Sequence, residues 1–213
     1  MTPSRFAAAT GGTLIIAWLA SPSVADVISD WSKAVAPPPP ELKEVTVEPA
    51  TTALLFLDMM KGNCSARPRC VAAVPTLKRL HDEARAHNMV VWYSLVGSDG
   101  KATPDDIMDP AIKPRAGEWY RQGGPDKFLG STLEPTLKQA GIQTVIVAGT
   151  AANGAVLHTA SEAVLRGLRA VVPVDTMSAD NAYIEQYVAY HFISARGGIA
   201  AGTTLTRVSM VKY

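Results

Sequence analysis

Four short apolar runs, alternating with segments of helical period, predict a three-layer α/β/α domain on a mostly parallel, doubly wound sheet. The runs are 53–57, 89–94, 144–148 and 170–174. They lack the strict in-out alternation of a half-exposed strand, so each is expected to be buried on both faces, as in parallel sheets covered by helices. Strand alternating with helix then requires right-handed crossovers and places helices on both sides.

From the amino end, Arg5, the apolar stretch 6–20 and Ser21-Pro22-Ser23-Val24-Ala25 have the layout of a secretory signal cleaved after Ala25. The alternative is an uncleaved anchor, but the apolar stretch falls short of the roughly 20 residues of a membrane span and contains Gly11 and Gly12. The expected mature chain is periplasmic or secreted, with no membrane partner after cleavage. Residues 26–44, with Pro37-Pro38-Pro39-Pro40, read as a stiff spacer without backbone donors in the proline run. The folded domain is expected over 45–213.

Ala53-Leu54-Leu55-Phe56-Leu57 ends at Asp58, which puts a carboxylate at the carboxyl end of a central strand. Val71, Val74, Leu77, Leu80 and Ala84 recur at helical spacing, with Asn88 as a stop. Between these segments stand the two cysteines of the chain, Cys64 and Cys70. In an oxidising compartment a close, even pair favours a local disulfide; two unpaired thiols are the alternative, and zinc lacks further ligands. The 89–94 strand leads into a long polar stretch, 97–125, of the length that is often functional. Ser131-Thr132-Leu133-Glu134 has the form of a capping box at the start of the next helix. Strand 144–148 runs into the turn Gly149-Thr150-Ala151-Ala152-Asn153-Gly154 and a helix from about Ala155 to Arg166, and strand 170–174 ends at Asp175. A helix over 181–194 and a more exposed strand over 203–208 complete the pattern. Ligands of such sheets bind outside the carboxyl ends of the strands, at the switch point, which joins Asp58, the 97–125 stretch and the 149–155 turn.

Twenty Lys plus Arg balance nineteen Asp plus Glu, so no basic surface is available for a phosphate backbone, and nucleic acid is not an expected partner. A small molecule is; a homo-oligomer is compatible with the composition.

Leu54-Leu55-Phe56-Leu57-Asp58, then Phe128-Leu129-Gly130-Ser131-Thr132-Leu133-Glu134, then Val145-Ile146-Val147-Ala148-Gly149 with Thr150 to Thr159 resemble, in order and spacing, the isochorismatase-like cysteine hydrolases. The resemblance spans about 45–175. It implies a catalytic aspartate, lysine and cysteine at Asp58, Arg121 and Ala155, with Lys113 and Lys127 as other occupants of the lysine position. Ala155 has no nucleophile, which removes thioester chemistry. Arg121 would hold an anion more readily than shuttle a proton. The turn resembles the family's oxyanion hole, commonly built with a non-proline cis peptide, which makes Thr150, Ala151, Asn153 and Gly154 substrate-binding candidates. Trp119 and Tyr120 are candidate pocket walls. The family's nicotinamidase metal site, D-x-H plus a further histidine, has no counterpart after Asp58, so neither a metal nor another cofactor is implied. Cys64 as a relocated nucleophile is set against its pairing with Cys70, and His158, His191 and Asp175 are left outside the site.

Three readings follow from this. The first is non-covalent hydrolysis with Asp58 as general acid, the chemistry of isochorismatases proper. The second is an exported binding module that keeps the pocket without turnover. The third is a cysteine amidohydrolase carrying an engineered Cys-to-Ala change.

Overall fold

A computed structural model describes residues 26–96, 100–121 and 123–213, with Arg121 described by its backbone. The expected signal segment therefore lies outside the described residues. The chain divides into two units, Met1–Pro37 and Pro38–Tyr213. In the first, Asp26 accepts hydrogen bonds from the Ile28 and Ser29 amides ahead of a short 3-10 turn, Trp31–Lys33. The second unit starts earlier than the expected residue 45, because the Lys43 amide donates to the Leu205 carbonyl and Leu42 packs against the core.

Among the described residues the second unit carries nine strands: β1 Val45–Thr46, β2 Thr52–Leu57, β3 Val90–Leu95, β4 Trp119–Arg121, β5 Thr144–Thr150, β6 Arg169–Pro173, β7 Met177–Ser178, β8 Thr203–Thr206 and β9 Val211–Lys212. Its α-helices are α1 Lys61–Cys64, α2 Pro68–Ala86, α3 Leu133–Gln139, α4 Leu157–Leu165, α5 Ala182–Ser194 and α6 Ile199–Gly202. The main sheet runs β4-β3-β2-β5-β6-β8, with β7 beside the end of β5. Every pairing in it is parallel. β1 and β9 form a separate parallel pair.

Two apolar layers cover the sheet. Leu54, Phe56, Tyr93 and Ile146 pack with Leu77, Leu80 and Ala84 of α2 on one face. Leu55, Leu57, Val145 and Val147 pack with Leu133, Ala160, Val188 and Phe192 of α3, α4 and α5 on the other. This is the expected three-layer arrangement. The inner face of α2 is set by Cys70, Ala73, Leu77, Leu80 and Ala84, whereas Val71, read from sequence as part of it, is exposed. Asn88 ends the helix region with φ 54°, in the left-handed region that asparagine tolerates. Among the described residues no helix is long and apolar enough to cross a membrane.

The chain leaves β2 for β3 and β4 on one side and builds β5, β6 and β8 on the other. The switch point therefore falls between β2 and β5, where Leu57, the last residue of β2, and Gly149, the last but one of β5, are register partners. The approach there is close. A Cβ on Gly149 would lie 2.0 Å from the Leu57 carbonyl oxygen, and the backbone φ of 133° is itself one that side chains rarely adopt.

One local expectation fails. Ser131 does not form a capping box: its hydroxyl donates to the Lys127 carbonyl at 2.6 Å and accepts from the Leu133 amide at 3.1 Å, and α3 starts after Thr132 with no side-chain cap. Glu134 turns instead to Lys138 and Arg166, at 2.6 Å each.

Candidate active site

Asp58 follows β2 directly and takes φ 53°, which turns the chain out of the sheet. Its amide donates to the Ser94 carbonyl and hydroxyl oxygens, both at 3.2 Å, and the Ser94 hydroxyl donates to Asp58 Oδ1 at 2.6 Å. Ser94 is the register partner of Leu57, so the neighbouring strand fixes the carboxylate. Asn63 adds a bond from Nδ2 to the Asp58 carbonyl at 3.2 Å.

The cation on this carboxylate is Lys127. Its Nζ donates to Asp58 Oδ2 at 2.8 Å and to the Gly124 carbonyl at 2.9 Å. The lysine side chain is fully buried and that of Asp58 is 9% exposed. Burial pushes the Asp58 carboxyl above its ordinary value, against the opposing pull of the Lys127 charge and the hydrogen bonds from Lys127 and Ser94. The Lys127 backbone is held as firmly: its amide donates to Thr159 Oγ1 at 3.2 Å, and Thr159 donates to the Pro125 carbonyl at 3.3 Å.

Of the three residues that sequence offered for the lysine position, Arg121 first and Lys113 and Lys127 beside it, Lys127 is the one seen to pair with Asp58. Arg121 ends β4, where its backbone pairs with Leu95; its side chain lies outside the described residues. The sequence cue for this pairing is the place of Lys127 immediately before Phe128 in the Phe-Leu-Gly segment. With Lys127 in place, position 155 alone departs from the catalytic set that the resemblance implies. Ser94 was not singled out in sequence, although a small hydroxyl at the end of the strand next to Asp58 was the available cue.

The Thr150-Ala151 peptide is cis and not a proline bond, as the resemblance implies. After it, Ala152–Val156 form a π-helical turn that leads into α4. Ala155 is 3% exposed and belongs to the same apolar layer as Leu57 and Phe128. It stands one helical turn before Thr159, the residue that anchors Lys127. Asn153 is exposed, while the Gly154 amide is spent on the Ala151 carbonyl at 3.0 Å. The Thr150 side chain turns away from this layer, donating to the Ser178 carbonyl at 3.2 Å and accepting from Arg67 Nη1 at 2.9 Å. Trp119 packs against the α2-side core, and Tyr120 stacks on Trp92 on the opposite face with ring centroids 5.2 Å apart. Cys64 and Cys70 are joined in a disulfide with Cα atoms 5.3 Å apart, so neither is a free thiol. Among the described residues no group of three or more His, Cys, Asp or Glu side chains is placed to hold a metal ion.

Residues 52–204 match the isochorismatase domain family. The chain belongs to that family. It is 27% identical over 142 residues to N-carbamoylsarcosine amidase of an Arthrobacter species, an alignment covering 54% of this chain and 53% of the amidase. The chain therefore spans about half the length of that relative. An isochorismatase family protein of Bacillus subtilis is 29% identical over 149 residues, covering 60% of this chain and 77% of its own. Among solved structures, a cysteine hydrolase from Pseudomonas syringae superposes with TM-score 0.68 at 18% identity, covering 80% of this chain and 94% of its own. N-carbamoylsarcosine amidase from Thermoplasma acidophilum gives 0.61 at 24% identity, over 74% and 96%. These likenesses establish the isochorismatase-like hydrolase fold.

Proposed function

We propose that this isochorismatase-family protein hydrolyses a small molecule without a covalent intermediate, with Asp58 as the general acid. The supporting observation is the buried Asp58–Lys127 pair, kept intact in a chain whose nucleophile position holds Ala155. Burial raises the Asp58 carboxyl above its ordinary value, the direction that favours a proton donor, while the Lys127 charge opposes it. On a vinyl ether, Asp58 would protonate the terminal carbon of the double bond. Water would add to the resulting oxocarbenium carbon and return a proton to the carboxylate. Collapse of the hemiketal then releases an alcohol and a carbonyl compound. Lys127 supports the carboxylate left after the first transfer, and the methyl group of Ala155 leaves room where the family's cysteine would stand. Export completes the reading: the segment 1–25 reads as a cleavable signal, and the disulfide suits an oxidising compartment. N-terminal sequencing of the exported protein, starting near Asp26, checks that part.

A binding module without turnover is the second reading, favoured because only position 155 departs from the catalytic set. Assays of the natural chain, Asp58→Asn and Ala155→Cys on a vinyl ether such as isochorismate and on simple amides separate the two. The acid mechanism expects vinyl ether turnover that Asp58→Asn lowers at least about a hundredfold and thiol reagents leave untouched. Turnover surviving Asp58→Asn refutes it, and no turnover by the natural chain decides for the binding module. Since Lys127 is in place, amidase activity gained by Ala155→Cys would identify a cysteine-hydrolase scaffold that lacks only its thiol.

A further inference from the structure

The loop closed by Cys64 and Cys70 holds two arginines that the acid pair does not use, and both reach out of it. Arg67 Nη1 donates to Thr150 Oγ1 at 2.9 Å and to the Asn63 carbonyl at 3.3 Å, while its Nε donates to Asp180 Oδ1 at 2.6 Å. Arg69 grips Glu185 with two bonds, one of them from Nε at 2.8 Å, and the same Glu185 Oε1 accepts the Ala179 amide at 2.9 Å. Two guanidinium groups on one bridged loop therefore hold the end of β5, the segment after β7 and the first turn of α5. The Asp180 arm is weak, since that carboxylate is 71% exposed. The Thr150 arm is the consequential one: Thr150 is 1% exposed, and its hydroxyl already donates its O–H to the Ser178 carbonyl. Losing the arginine would strip a buried oxygen of its donor.

Thr150 is the residue from which the turn carrying Ala155 departs. Its side chain faces the α2 side of the sheet, whereas Ala155 and Phe128 pack in the opposite layer. Arg67 makes no hydrogen bond to Asp58 or Lys127 among the described residues and acts on the turn from behind. We propose that Arg67 is a positioning residue for the 150–155 turn and that the Cys64–Cys70 bridge holds it in that role, so that the geometry at position 155 depends on the bridge. This rests on the reading of that turn as part of the site.

The test uses the full mature chain and needs no substrate. Amide hydrogen exchange is followed in the natural chain, Arg67→Met, Arg67→Lys, Thr150→Val, the Arg67→Met/Thr150→Val double variant and the Cys64→Ser/Cys70→Ser double variant. Each change is then combined with Ala155→Cys, whose thiol is the sole free one in the protein, and the apparent pKa of that thiol is read from the pH dependence of its alkylation. The expected result is exchange faster by about tenfold or more over 150–157, with β3 and α3 unchanged. The thiol pKa should rise by about one unit as the turn's amides and Lys127 lose their fixed relation to it. Thr150→Val should reproduce Arg67→Met, the double variant should add nothing to either, and loss of the bridge should give the same signature. Arg67→Lys, which lacks the fork that serves Thr150 and Asp180 together, should restore less than half the effect. Altered exchange confined to 64–70 and 178–185, or an unmoved thiol pKa, overturns the proposal. If Arg67→Met does not fold, Thr150→Val decides. Absent vinyl ether turnover would refute the hydrolytic reading while leaving this one standing, and an unmoved turn would do the reverse.

Discussion

Replacing Lys127 with methionine removes one charge of a buried pair and leaves most of its volume. At 2.8 Å and an effective dielectric near 20, the attraction is about 6 kcal/mol, part of which is offset by the desolvation of both groups. The carboxylate left behind is 9% exposed and keeps the Ser94 bond, while the Gly124 carbonyl loses the Nζ donor. Removal of one partner from such a pair costs about 3–5 kcal/mol near pH 7. The pH dependence identifies the cause. Burial already raises the Asp58 carboxyl, and without the opposing cation it rises further. The folded variant then binds a proton at pH values where the unfolded chain does not, so its stability improves as pH falls from about 7 toward 5 and its deficit against the natural chain narrows. Urea unfolding at both pH values measures this, with the Asp58→Asn/Lys127→Met double variant recovering part of the loss. A deficit below about 1 kcal/mol, or one equal at the two pH values, would refute the assignment of a buried charge pair.

Two further outcomes follow from the fold. Glu118 is pushed up by burial, but the bonds from Arg85, two at 2.6 Å, and from the Arg115 amide outweigh this and hold its carboxyl below the ordinary value of 4.5. Its contribution is thus present above the unfolded value and lost as pH falls through the lower folded one, so Glu118→Gln should cost about 1–2 kcal/mol at neutral pH and nothing in strong acid, read by acid titration of unfolding. Gly149→Ala should cost about 3 kcal/mol or more, because its Cβ would meet the Leu57 carbonyl at 2.0 Å; normal thermal stability would contradict the close approach of β5 to β2.

The layers and the switch point were legible because strands buried on both faces leave uninterrupted apolar runs, and 53–57, 144–148 and 170–174 all became central strands. Asp58 and the 149–155 turn were legible for the same reason, as the residues where those runs stop. The lysine was not. Its position lies in a long segment without periodicity, and the tertiary choice between residues 113, 121 and 127 rests on contacts that spacing does not encode: Thr159, thirty-two residues on, seats Lys127, while pairing with β3 draws 119–121 into an edge strand. The capping motif at 131–134 misled for a related reason, since Ser131 was taken by the carbonyl of Lys127. Nor could spacing reveal that Arg67 and Thr150 meet, eighty-three residues apart.

The braces of the acid pair come from Ser94 on β3, Gly124 and Pro125 in the loop before Lys127, and Thr159 on α4. Residue 155 supplies none of these hydrogen bonds. The place where a nucleophile would stand is thereby insulated from the ion pair's own scaffolding. A side chain at position 155 can therefore change without removing any hydrogen bond that braces the Asp58–Lys127 pair, so the pair and that position are structurally separable parts of the fold.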